Sequence, residues 1–308
     1  MIWWILGGVA AFVCLSVLIS AYVCYRITFY SAPREQKEEQ NLPQGAIYEP
    51  YWDSMKKWAQ EMQQMPCQEL SVTSFDGLTL RGRFYEYAPG APIELMFHGY
   101  RGSSERDMPG GVQRCFKLGR SALLIDQRGG GRSDGNTITF GIKEHRDCLT
   151  WVDFIIKQFG SDVKIILTGI SMGASTVLMA AGKPLPSNVI GVLADCGFSS
   201  AREIIQIVIR QIKLPVKLSY LFVRLGARIF GGFALESYTP VEAMKTCTVP
   251  VIFIHGEDDD FVPCDMSRVM YEACSSRKKL VTIPGAGHGL SCLVDPERYY
   301  AELRDFYP

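Results

Sequence analysis

The chain has 308 residues, of which 47% are hydrophobic and 21% charged, an ordinary globular composition with length for one large domain or two small ones. Lysine plus arginine and aspartate plus glutamate stand at 32 each, so there is no global basic field to attract nucleic acid, and none is expected as a partner. The ten cysteines include no C-x-x-C pair, which argues against a zinc site and for reduced structural thiols.

The N-terminus differs from the rest. From Ile2 to Tyr25 the chain carries no acid, lysine or arginine. As a helix this run would span ~36 Å, enough to cross a hydrocarbon core of ~30 Å. Trp3 and Trp4 at one end, with Tyr22, Tyr25 and Arg26 at the other, suit two interfaces. A cleaved signal peptide fits less well. No cation precedes the apolar run, and only a poor small-residue site lies near Ser20 and Ala21. The expectation is a retained single-pass anchor over 1–28. Arg26, Arg34 and Lys37 all follow it, which favours a cytoplasmic catalytic domain.

A polar, proline-bearing juxtamembrane linker and a helix at 51–64 fill residues 29–66. A catalytic domain is expected over 67–308. It opens with a hairpin around Asp76-Gly77. Apolar strands are expected at 93–97, 121–125, 164–168, 189–194, 249–254 and 279–283. Helices are expected near 109–118, 143–159, 172–182, 264–274 and 295–306. Short apolar strands separated by helices predict a mostly parallel α/β sheet covered on both faces. Residues 199–238 break the alternation with amphipathic stretches rich in isoleucine and arginine, and predict a helical cap over a pocket.

"LTGISMGAST" (167–176) places Ser171 between a strand and a helix, flanked by Gly169 and Gly173. So sharp a turn strains the serine and exposes its hydroxyl beside a helix N-terminus. The hydroxyl needs a base. His288, in the glycine-rich loop "IPGAGHGLS" after the final strand, can reach over the sheet edge. His98 and His255 precede glycines at strand ends and are expected to shape turns, while His145 is expected at the surface. The orienting acid should come from Glu257, Asp258, Asp259 or Asp260, with Asp195 after the preceding strand as a second candidate. The turn "HGYRG" can supply the Tyr100 N–H to an oxyanion, beside that of Met172. "DQRGGGRSDG" (126–135) lacks G-K-[ST] and reads as a structural loop.

Taken together, HGYRG, DQRGGGRSDG, GISMG, HGEDDDFVP and GAGHG resemble the α/β-hydrolase superfamily over residues 67–307, most of all its membrane-anchored bacterial esterase and lysophospholipase-like members. The resemblance implies Ser171 as nucleophile, His288 as base, Asp259 as the acid of the H-G-x-x-D-x-x-V-P pattern, and Tyr100 with Met172 as oxyanion donors. Gly130 departs from the bulky residue often found at its place in the D-x-R-G-x-G-x-S loop. The expected activity is hydrolysis of a carboxylic, acyl or lipid-like ester, with no metal or organic cofactor. A serine peptidase or acyltransferase of the same fold and an inactive membrane-tethered binding module are the rivals.

Overall fold

The structure, a computed structural model, describes residues 1–32, 42–43 and 45–307. Arg34, Lys37 and the rest of 33–41 in the expected linker, with residue 44, lie outside the described residues.

Helix α1 (Ile2–Thr28) is the one helix among the described residues long and apolar enough to cross a membrane. A 3₁₀ turn (Glu49–Tyr51) leads into α2 (Trp52–Gln64), whose Met62 packs with Met96, Met108 and Val112. The hairpin β1 (Gln68–Thr73) and β2 (Thr79–Tyr85) follows, with alternating burial along both strands. Ser74 and Gly77, at φ +90°, close its turn.

Five buried strands then alternate with helices. They are β3 (Ile93–Phe97), β4 (Ser121–Asp126), β5 (Ile165–Ile170), β6 (Val189–Asp195) and β7 (Val251–Gly256). Between β3 and β4 lie α3 (Ser104–Asp107) and α4 (Pro109–Lys117). Next come α5 (Glu144–Phe159) before β5, and α6 (Met172–Ala181) after it. Beyond β6 are α7 (Ala201–Gln211), α8 (Val216–Ile229) and the short α9 (Pro240–Met244). α10 (Asp265–Ala273), β8 (Lys278–Ile283), α11 (Ser291–Val294) and α12 (Pro296–Phe306) complete the chain.

The eight strands form one sheet in the order β1-β2-β4-β3-β5-β6-β7-β8. β1, β2 and β4 pair antiparallel, and every pairing from β4 to β8 is parallel. Parallel strands need helical crossovers, which is why apolar side chains on both faces are covered. One core lies under α5 and α6 on one face, around Trp151, Val177 and Phe253. Another lies under α12 on the other, around Ile252, Tyr299 and Leu303. The sheet reverses direction of winding between β3 and β5, and their carboxyl ends meet at the site (Phe97 opposite Gly169).

The expected elements lie within two residues of those observed. Three short helices (α3, α9, α11) were not expected, because four or five residues carry no readable period. His145 is a correction. It is buried rather than at the surface, with its Nδ1 2.8 Å from Gly141 O, because the first turn of α5 is tucked beneath the preceding loop. Burial lowers its pKa from the ordinary histidine value.

Candidate active site

Ser171 follows β5 and caps α6 with φ +55° and ψ −118°, a positive-φ backbone that a non-glycine residue adopts only under constraint. The constraint is local. A Cβ on Gly169 would lie 2.2 Å from the backbone of Gly173, and one on Gly173 would lie 2.0 Å from Phe97 O. Only glycines let the turn close this tightly against β3. Ser171 N–H donates to Asp195 O at 2.8 Å, which ties the elbow to β6.

Two loops bring its partners. The turn after β8 carries His288, whose Nε2 lies 2.9 Å from Ser171 Oγ. The loop after β7 carries Asp259, whose Oδ2 lies 2.7 Å from His288 Nδ1. The Asp259 Oδ1 accepts the N–H groups of Phe261 (3.0 Å) and Val262 (2.8 Å). Burial opposes ionisation of Asp259. Hydrogen bonds from His255 and His288 and the Val262 amide outweigh it and hold the carboxyl well below the usual carboxylate range. The imidazole between them can therefore pass a proton at Nε2 while Nδ1–H stays anchored.

The other candidates are sorted by the same geometry. Glu257, Asp258 and Asp260 are exposed. Asp195 is buried beneath the elbow, where its Oδ2 accepts from Tyr299 Oη at 2.9 Å, and burial raises its pKa. The ring nitrogens of His288 bond Asp259 and Ser171 instead. His98 staples loops, with Nδ1–H donating to Gly99 O (2.8 Å) and Nε2 accepting from Gln127 N–H (3.0 Å). His255 does more than shape a turn. Its Nε2–H points to Val262 O (2.8 Å) and Asp259 Oδ2 (3.2 Å), so it steadies the acid. In the glycine loop, Arg128 bridges Asp76 and Asp147, and a Cβ on Gly130 would meet the His98 ring at 2.9 Å. The missing side chain at Gly130 therefore leaves room for His98.

Met172 is the first residue of α6, where a backbone N–H has no intrahelical acceptor. Tyr100 lies in the turn after β3. The preceding Gly99 N–H is committed to Asp107 Oδ2 at 3.1 Å. Among the described residues, four of the five non-glycine residues at positive φ (Arg101, Phe140, Ser171 and Cys196) surround this site. Strain is concentrated where loops must converge.

Ser171 and Met172 form the floor of an apolar cavity of about 160 Å³. α7 supplies Ile205, Val208 and Ile209 to its wall, and Phe261, which meets the His288 ring edge-on at 5.1 Å, closes one side. The α7 stripe was readable from isoleucines at helical spacing. The contribution of Ile27 and Thr28 from α1 was not, because nothing local links them to a cavity over a hundred residues away. Cys196, Asp259 and His288 place donor atoms within 4.8 Å of one another. Asp259 and His288 are spent on each other, and burial pushes the Cys196 thiol well above its ordinary pKa. That donor set suits a hydrogen-bond chain better than a metal ion.

Two families match the chain, the alpha/beta hydrolase fold over residues 95–239 and Serine hydrolase (FSH1) over 190–290. The protein YqkD of Bacillus subtilis is 27% identical over 61% of this chain and 62% of its own. Protein bem46 of Schizosaccharomyces pombe is 26% identical over 70% of this chain and 67% of its own. The matched region thus spans about three fifths to two thirds of these relatives. The solved structure of the Pyrococcus furiosus esterase Pf2001 superposes with a TM-score of 0.69, covering 91% of this chain and 97% of that one at 20% identity.

Proposed function

We propose that this chain, which belongs to the α/β-hydrolase superfamily, is a serine hydrolase of carboxylic esters with acyl or lipid-like substrates. The continuous bond chain Ser171–His288–Asp259, with Ser171 at the floor of an apolar cavity, carries the reading.

In the reaction, His288 Nε2 takes the Ser171 proton as Oγ attacks the ester carbonyl carbon. The tetrahedral oxyanion accepts from the N–H groups of Tyr100 and Met172, each donor being worth ~3 kcal/mol. The C–O bond to the alcohol breaks, and His288 returns the proton to the departing oxygen. Water, deprotonated by the same imidazole, then attacks the acyl-enzyme; the bond from the acyl carbon to Ser171 Oγ breaks, His288 returns the proton to Oγ, and the carboxylic acid leaves. Asp259 keeps its charge throughout and stabilises the imidazolium. The apolar wall favours an acyl chain over a peptide, which must leave amide groups unpaired there.

We further assign α1 as a retained membrane anchor. The weak cleavage site at Ser20 and Ala21 lies inside a helix packed on α8, where Ala21 is fully buried.

A fluorophosphonate probe tests the reading. Wild type should label, Ser171→Ala should not, and kcat on a nitrophenyl ester should fall by ~10⁴-fold or more. A folded wild type that neither labels nor cleaves esters, or a Ser171→Ala variant that still labels, would overturn it. Carbonate extraction of the same preparation should leave the protein with the membranes, and release into solution removes the anchor assignment.

A further inference from the structure

The last third of α1 is built into the catalytic domain. Ala21, Tyr25 and the C-cap residue Phe29 are buried and lie four residues apart, along one face of the helix and its end. α8 packs on that face so closely that a Cβ on Gly226 would sit 2.5 Å from Ala21 O, and Phe230 meets the Tyr22 ring edge-on at 5.2 Å. Beyond the helix, Ile138 N–H donates to Phe29 O (2.8 Å) and Ser31 N–H to Asn136 O (2.9 Å). This stitches the chain to the strap that ends in Phe140. A flexible tether would need none of these bonds.

The carbonyls at the end of α1 are held by the loop that carries Tyr100. Tyr100 Oη donates to Thr28 O at 2.8 Å. Arg101 Nη2 donates to Ile27 O (2.7 Å) and Tyr30 O (2.9 Å), with Arg101 itself at φ +52°. Helix-end carbonyls need such partners, and a guanidinium also complements the negative end of the helix dipole. Ile27 and Thr28 then line the cavity above Ser171. Ile27 and Ile212 are 66% and 58% exposed, so apolar side chains from α1 and from the end of α7 form an open rim.

The depth of this rim follows from helix geometry. Residues 2–20 rise ~28 Å, close to the hydrocarbon thickness of ~30 Å. Ile27 lies about 10 Å further on, at the level of lipid headgroups. α8, which packs on α1, also exposes Leu218, Leu221 and Ile229.

We propose that the substrate is an acyl ester lipid resident in the leaflet where α1 ends. Its chain enters between Ile27 and Ile212, so α1 is a wall of the acyl site and a brace of the oxyanion loop. This rests on Ser171 being the nucleophile.

The full chain in phosphatidylcholine vesicles is treated with a long-chain alkyl fluorophosphonate bearing a photoreactive diazirine along the chain. Ser171 Oγ forms the bond to phosphorus, fluoride leaves, and irradiation marks what the chain touches. Adducts on the peptide holding Ile27 are expected. Phosphonylated Ser171 with adducts confined to other segments overturns the lipid route alone, while no phosphonylation overturns the triad reading beneath it. Independently, Ile27→Trp should lower the ratio of decanoyl to acetyl ester kcat/KM by about tenfold. A ratio within twofold of wild type overturns the proposal.

Discussion

Asp195 ends β6 and Asp259 follows the adjacent β7, and both were open as the acid from their spacing. The difference is what each carboxylate faces. Asp259 accepts two backbone N–H groups and two imidazoles and stays ionised, whereas Asp195 is buried against a phenol and has its pKa raised. Asp259→Asn should therefore cost ~10⁴-fold in kcat, because an amide cannot hold the His288 tautomer. Asp195→Asn can keep the Tyr299 bond, and its kcat on nitrophenyl acetate should stay within about tenfold of wild type. The reverse ranking would move the acid to β6. The depressed pKa of Asp259 also adds stability that is complete above the ordinary carboxylate value of ~4 and is lost as pH falls below it.

At the scale of elements, the strand–elbow–helix unit β5–α6 depends on close backbone approach. Gly173→Ala should destabilise, since the new Cβ would meet Phe97 O, a backbone atom of β3 that cannot rotate away. Overpacking of this kind costs ~1–3 kcal/mol, more than the ~1 kcal/mol that alanine adds to a helix interior. The same change at Gly8 of α1 meets nothing within 4 Å and should leave the melting temperature and probe labelling as in wild type. A Gly173→Ala protein that melts and labels like wild type would show that the elbow has slack. The glycine spacing around Ser171 made this unit legible from local residues. The docking of α1 on α8 was not legible, because Gly226 lies some two hundred residues from Ala21 and carries meaning only once they touch.

Across the whole molecule, the sheet is pinned by a charge cluster that composition hides. Glu94 is fully buried in central β3, with Arg114 Nη2 at 2.5 Å, Arg120 Nη1 at 2.8 Å and Thr168 Oγ1 at 3.0 Å. Burial works against its charge, but the two guanidiniums prevail and bring its pKa down to about 2. Its stabilisation is thus complete above an unfolded pKa of ~4.3 and is lost as pH falls toward 2. Glu94→Gln leaves two buried guanidiniums short of a carboxylate and should cost ~3–5 kcal/mol. It should also flatten the acid limb of stability against pH, read from denaturant midpoints. An unchanged acid limb would assign acid sensitivity elsewhere. By itself, the sequence determined the α/β alternation, the elbow, the histidine loop and the apolar first helix, because each rests on periodicity or on residues adjacent in the chain. Spacing left the acid open and the motif resemblance pointed to Asp259; only the tertiary structure decided that its carboxylate faces His288, which arginines neutralise Glu94, and that α1 ends against the Tyr100 loop. Those outcomes depend on distances across the fold, and no local pattern encodes a distance between residues that meet only after folding.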